Sequence, residues 1–169
     1  MPGFVEKLRV PVRMCVAGQA PYPVHMSLFP LAEAHAGPET LLERLNARTR
    51  VVPVVSAEDD VVVLATREQI DWIEAGPEVE SHLIRPRAYQ TTREEQVELR
   101  LASGESVGGI LAMELPDSHN RASDFLNGDE DFFAFTTPTG TRLVNKARVL
   151  EVRILSTRSA VRTLGERAA

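Results

Sequence analysis

Two stretches of the chain repeat one pattern, and this internal similarity constrains the fold more than any other feature of the sequence. Residues 12–30 align with residues 97–116 when one additional residue, Ser103, is allowed in the second stretch. The matched positions share their chemical class: Val12, Met14, Val16, Ala17, Gly18 and Pro30 fall on Val97, Leu99, Leu101, Ala102, Gly104 and Pro116. Each stretch has alternating apolar residues, a glycine and a second alternating run, which predicts a β-hairpin.

The similarity continues downstream of both hairpins. Residues 39–46 align with 120–127, 51–56 align with 132–137, and 61–73 align with 142–153 after one deletion. Each copy therefore predicts two strands, a short helix and three further strands. We interpret the chain as a divergent duplication.

The predicted fold class is mainly β, a β-rich α+β arrangement of two tandem small half-open β-barrels, each with one short helix. The first β-rich repeat spans residues 1–75, and the second spans 96–155. Residues 76–95, with Pro77 and Pro86, are interpreted as a linker, and residues 156–169 as a basic C-terminal tail.

The acidic segment 121–135, RASDFLNGDEDFFAF, contains five large apolar side chains, four phenylalanines and a leucine. Phe125 and Leu126 lie on the predicted helix of the second copy. The next strand places Phe133 and Phe135 on one face and Phe132 on the other, because successive side chains of a strand alternate. We predict that these phenylalanines form core, and that the acids mark the loop between helix and strand.

Composition favours a cytoplasmic protein and excludes several classes. The chain is 43% hydrophobic and 25% charged, which is typical of a globular protein. Its single cysteine, Cys15, can form neither an internal disulfide nor a cysteine metal cluster. The first residues contain no apolar run of signal-peptide type, and the longest apolar runs, such as 61–65, are far shorter than a membrane span.

Catalytic and cofactor signals are not found in the sequence. The four histidines, His25, His35, His82 and His119, share no metal-ligand spacing. Gly104, Gly108 and Gly109 lie in a predicted hairpin, without the helix and lysine that follow a phosphate-binding loop. The prediction is a protein that is not an enzyme and has no metal and no cofactor.

Two segments resemble known families. Residues 102–115 are similar to the first signature of Sm-like small β-barrels, and 143–152 are similar to the second. That resemblance implies small barrels of Sm- or SH3-like type and would place Asn145 and Lys146 at an RNA-facing loop. The run SDFLN…FF…VNKARV also resembles small uncharacterised bacterial domains, which carry no activity to transfer.

The expected function is a non-enzymatic protein–protein interaction module, an adaptor, regulatory or assembly subunit. The partner would be another protein or a second copy of the chain, because small barrels offer strand edges that can pair with another chain. The expected partner-binding residues are Asn145, Lys146, Arg148 and Arg153. No membrane partner is expected.

Charge is unevenly distributed and can steer such a partner. Residues 114–131 hold six acids against one arginine, and residues from 142 onward hold seven bases against two acids.

Two alternative functions remain open. The first is an Sm-like nucleic-acid-binding protein. The second is a nucleotide or small-molecule sensor of PilZ-like type, for which Arg9 and Arg13 have the required mutual spacing.

Overall fold

The computed structural model describes residues 6–116, 118–119 and 121–159. Over these residues the protein is mainly β, with ten strands and three short helices. The strands are β1 (Leu8–Val16), β2 (Tyr22–Leu28), β3 (Val51–Ser56), β4 (Val62–Thr66), β5 (Ile70–Ala75), β6 (Arg93–Leu101), β7 (Ser106–Met113), β8 (Phe132–Thr137), β9 (Gly140–Asn145) and β10 (Val149–Ser159). The helices are α1 (Leu41–Asn46), α2 (Ser81–Ile84) and α3 (Ala122–Leu126). Short 3-10 turns, Arg67–Gln69 and Lys146–Arg148, precede β5 and β10.

The predicted order of elements is present in each half of the chain. The first half consists, in chain order, of β1, β2, α1, β3, β4 and β5, and the second half of β6, β7, α3, β8, β9 and β10. The predicted linker 76–95 contains α2 and the start of β6. Strand β10 continues to Ser159, so the predicted boundary at residue 155 falls within it, and residues 160–169 lie outside the described residues.

All ten strands belong to one open antiparallel sheet, in the order β10-β6-β7-β8-β9-β5-β1-β2-β3-β4. The mainly β class is therefore confirmed, whereas two separate barrels are not seen. Each half contributes five neighbouring strands. The halves meet where β5 of the first pairs with β9 of the second, with Trp72 opposite Val144 and Ala75 opposite Thr141. We call this β5–β9 pairing the central seam.

Strand register is the same in the two halves. Val51 lies opposite Thr66 in the β3–β4 pair, and Phe132 lies opposite Asn145 in the β8–β9 pair. Val51 and Phe132 correspond in the sequence alignment as well. Thr66 is aligned by sequence with Lys146 or Ala147, depending on where the deletion is placed, so the strand pairing corrects the predicted alignment of 61–73 with 142–153 by one or two residues. The 3-10 turns are anchored alike, because the Arg67 amide donates to the Arg50 carbonyl and the Lys146 amide donates to the Asp131 carbonyl.

A β-bulge also recurs at the same place. Where β1 pairs with β5, the register skips Asp71, and where β6 pairs with β10 it skips Leu150. Each bulged residue is the second residue of the strand that follows the 3-10 turn. The matching registers and bulges together give each residue of β4 a structural counterpart in β9, and each residue of β5 a counterpart in β10.

Buried side chains of the sheet and helices form two apolar cores, and both halves of the chain contribute side chains to each core. The first core combines first-half residues such as Leu41, Leu45 and Ile73 with Phe132 and Leu143 of the second half. The second core combines Phe133 and Phe135 with Cys15 and Trp72 of the first half. The predicted division of the phenylalanines between opposite faces is confirmed, because Phe132 is buried in one core and Phe133 and Phe135 in the other.

Helix α1 is fixed at its start by its own sequence. Thr40 is the N-cap, and its hydroxyl accepts a hydrogen bond from the Glu43 amide while the Glu43 carboxylate accepts one from the Thr40 amide. This reciprocal capping box satisfies two backbone donors that a short helix otherwise leaves free. The cap orients Leu41 and Leu45 into the first core.

Two adjacent glycines of β7 predict opposite effects on stability. A Cβ atom on Gly109 would overlap the Thr136 carbonyl of β8 and lie 2.8 Å from the Phe135 ring, whereas one on Gly108 would meet open space. We expect Gly109→Ala to lower the free energy of unfolding by roughly 1–3 kcal/mol through overpacking. Gly108→Ala, the matched control, should be neutral or slightly stabilising, because alanine loses less backbone entropy than glycine. Urea denaturation of both variants measures the difference, and equal stabilities would contradict the described approach of β7 to β8.

Candidate interaction surface

The central seam is held by buried charged side chains as well as by backbone pairing. Arg142 of β9 donates from Nε to the Glu74 carboxylate of β5 at 2.9 Å and from Nη1 to Glu105 at 2.7 Å. Its guanidinium lies 3.9 Å from the centre of the Trp72 ring, and the Trp72 indole donates to Glu105 at 3.3 Å. Burial lowers the pKa of Arg142, but the two carboxylates outweigh this effect and raise it above its ordinary value. The cluster is charge-paired and stacked, which is the arrangement that buried charges require.

A second polar contact joins the halves at the bulge. Asp71 is fully buried, and its carboxylate accepts hydrogen bonds from Arg148 Nε at 2.6 Å and from the Gly18 amide at 2.7 Å. The Cys15 thiol lies 3.7 Å from the same carboxylate. Burial, reinforced by the negative charge of Asp71, raises the pKa of Cys15 to about 11. The thiol is thus neutral at physiological pH and acts as a donor within the core.

Three of the four residues predicted to bind a partner are used inside the chain. Asn145 is buried, and its amide donates to the Ile70 carbonyl across the seam at 3.0 Å. Lys146 donates to the Gly128 carbonyl at 3.1 Å, and its partial burial lowers its pKa. Arg148 holds Asp71, as described above. Only Arg153 is largely exposed, in an ion pair with Glu151.

Exposed apolar side chains are concentrated at the two ends of the sheet. Within the described residues, β4 and β10 each pair with a neighbouring strand along one side only. Val62 and Leu64 on β4 are each 63% exposed, and Leu150, Ile154 and Leu155 on β10 are about half to two-thirds exposed. We call these strands the free edges. Natural sheets usually protect such edges with charges, proline or irregular geometry. β10 has two of these features, the Glu151–Arg153 ion pair and the bulges in its pairing with β6. The large apolar side chains exposed on both edges nevertheless make them candidate binding surfaces.

Comparison of the chain with protein-family models, with curated proteins and with solved structures gave no match. The candidate surface therefore rests on the geometry of this molecule. Among the described residues, no helix has the length and apolarity to cross a membrane. The same part of the chain has no group of three or more histidine, cysteine or acidic side chains placed to hold a metal ion.

Two surface clefts bring together residues that are distant in sequence. A cavity of about 590 Å³ is lined by Arg48, Arg50, Arg67 and Asp131, among others, and Arg67 pairs with Asp131 across the halves. A cavity of about 520 Å³ is lined by His35 and His82. The pKa of His35 is raised by its hydrogen bonds to the Ala36 carbonyl and to Glu43.

Of the charged residues that carry the seam, Arg148 is predicted from the sequence as a partner-binding residue, whereas Asp71, Glu74 and Arg142 are not predicted to be functional. Their signal is the pattern of β5, where Asp71 and Glu74 interrupt an otherwise apolar strand that is buried throughout. Buried carboxylates in a strand require partners of opposite charge. The partners, Arg142 and Arg148, are more than sixty residues away, at sequence separations of 68 and 77.

Removing one partner of the buried pair should destabilise the whole sheet. We expect Arg148→Met to lower the free energy of unfolding by on the order of 3 kcal/mol, because the Asp71 carboxylate would stay buried without its counter-charge. Arg153→Met removes an exposed arginine from the same region and should leave stability unchanged within error. Urea titration followed by circular dichroism compares the two, and a loss in Arg153→Met as large as that in Arg148→Met would contradict this assignment.

Proposed function

We propose that the protein is a non-enzymatic interaction module that joins protein chains by strand addition at its free edges, acting as an adaptor, regulatory or assembly subunit. One observation carries the proposal: within the described residues, both ends of the ten-stranded sheet are unpaired and expose large apolar side chains. An unpaired strand offers a row of backbone donors and acceptors, and its alternate side chains give specificity to the added strand.

We further infer that the two halves are copies of one small half-open barrel unit. The common strand order, the matching registers of β3–β4 and β8–β9 and the recurrent bulge support this reading. In each unit the order of strands, counted along the chain, is fifth, first, second, third and fourth. A unit of this order has two different edges, its fourth strand and its fifth strand.

Affinity capture tests the proposal with the full chain as bait. The edge variant carries Leu64→Asp on β4 and Leu150→Asp on β10, which places charge on both free edges. The matched control is Leu31→Asp, because Leu31 is 78% exposed and lies outside every strand. We expect one or more proteins, the chain itself included, to be retained by wild type and control and lost from the edge variant. Retention that does not depend on the edges would overturn the proposal.

The nucleic-acid alternative makes a different prediction for the same three proteins. Phosphate binding to cations such as Arg48 and Arg50 weakens steeply with salt, because counterions are released. Fluorescence anisotropy of labelled single-stranded RNA would then show salt-sensitive binding that is equal in wild type and edge variant. Absence of binding at low salt would remove that alternative.

A further inference from the structure

The central seam shows how the two kinds of edge fit each other. It joins the fifth strand of the first half, β5, to the fourth strand of the second half, β9. The free edges are the other two strands of these kinds: β4 is the fourth strand of the first half, and β10 is the fifth strand of the second half. A contact between unlike surfaces leaves one of each free at the ends, so it can be repeated by further copies.

Side chains at the free edges have buried counterparts in the seam. Leu143 of β9 is fully buried, whereas its counterpart on β4, Leu64, is 63% exposed. Ala75 of β5 is 1% exposed, whereas its counterpart on β10, Ile154, is 48% exposed. At these two positions the free edges thus carry exposed apolar residues where the seam has buried ones. Burying such side chains is the main source of association free energy.

The second half has an open pocket at the place where the first half accommodates a side chain from across the seam. At the seam, Phe132 of the second half packs against the first half. The centre of its ring lies 5.6 Å from the Arg67 guanidinium, and the ring is part of the core that contains Leu45 and Ile70. The corresponding place in the second half is a pocket of about 180 Å³, lined by Leu126, Phe133, Lys146, Val149, Leu150, Glu151 and Val152. The counterpart of Phe132 is Val51, which is 37% exposed beside β4. Val51 of a second copy would therefore reach the pocket.

Two hydrogen bonds between a side chain and the backbone also join the halves at the seam, and the groups that correspond to them are free at the two edges. Asn46, at the end of α1, accepts from the Phe132 amide at 2.8 Å and donates to the Phe132 carbonyl at 3.2 Å. The corresponding asparagine of the second half is Asn127, which follows α3 and is exposed. In a repeated contact Asn127 would make this double hydrogen bond with the backbone of Val51.

Charge favours the same orientation. The loop after α1 carries Arg48 and Arg50, and the equivalent loop after α3 carries Asp129, Glu130 and Asp131. A repeated contact would place the acidic loop of one chain against the arginines of the next. The counterpart of the Arg67–Asp131 pair would be Lys146 beside Arg50, and the three acids around Lys146 compensate these two cations.

We propose that the protein assembles head to tail with further copies of itself, β10 of one chain pairing with β4 of the next in the register of the central seam. Val152 then lies opposite Leu64, and Ile154 lies opposite Val62. This proposal rests on the proposed function and names its partner. Such a contact is heterologous, so it builds a ring when the rotation closes and a fibre when it does not.

Mixing two edge variants separates head-to-tail assembly from other arrangements. Analytical ultracentrifugation of wild type and Leu31→Asp should show oligomers. Leu64→Asp alone and Leu150→Asp alone should be monomeric, with circular dichroism and thermal midpoints like those of the control. Their equimolar mixture should form a dimer, because each chain retains the edge that the other needs.

The outcomes that overturn self-assembly differ from those that overturn the proposed function. A monomeric wild type contradicts head-to-tail assembly, and so does a dimer of Leu150→Asp alone, which would indicate pairing of β4 with β4. If affinity capture still retains another protein in an edge-dependent manner, strand addition stands and only the identity of the partner is wrong.

Engineered cysteines test the register directly. A chain with Val152→Cys mixed with one carrying Leu64→Cys should form an intermolecular disulfide under mild oxidation, since paired Cα atoms in adjacent strands lie within disulfide range. Val152→Cys mixed with Val63→Cys, one residue out of register, is the control. Cys15 can stay in place because it is buried and its pKa is about 11. Equal cross-linking in both mixtures would overturn the register.

Discussion

The pairing of β5 with β9 is the constraint on which the rest of the structure depends. It converts two five-stranded arrays into one sheet, and it closes both cores, because Phe132 and Leu143 cover the first while Trp72 and Cys15 contribute to the second. Neither half retains its full core without the other. The buried carboxylates of Asp71 and Glu74 pair with arginines of the other half across this contact.

Buried ion pairs fix geometry more than they add stability. Taking Asp71, Glu74 and Arg142 out of water costs several kcal/mol per ion, which their mutual attraction repays only in one good arrangement. A register slip would leave these charges unpaired. The polar part of the seam therefore selects one alignment of the halves. The free edges lack these buried pairs, because the counterpart of Asp71 is Leu150 and that of Arg142 is Val63. The counterparts of Trp72 and Glu74 are Glu151 and Arg153, which form an ion pair with each other on β10. Contact there therefore depends on apolar burial beside this ion pair and on the acidic and basic loops.

Sequence reasoning found the elements, because they are encoded locally. The alternation around Gly18 and Gly104 indicates the hairpins, and the spacing of Phe132, Phe133 and Phe135 assigns their faces. The single sheet was not predicted, since a contact between strands some seventy residues apart leaves no periodic signal. For the same reason the sequence predicts Asn145 and Arg148 as partner-binding surface residues, although both make contacts inside the chain. Polar side chains are exposed by default, and their buried partners become visible only when the chain is folded.

The central claim is that both halves form one cooperative unit joined at the seam. Trp72, the single tryptophan, lies in that seam and reports on it alone, whereas far-UV circular dichroism reports on the strands of the whole sheet. The measurement is urea unfolding of wild type at a concentration where the chain is monomeric, followed by both signals. Coincident transitions are predicted, because breaking the seam exposes both cores. A fluorescence transition that is complete while most of the dichroism remains would show that the halves are stable apart, and would contradict this account.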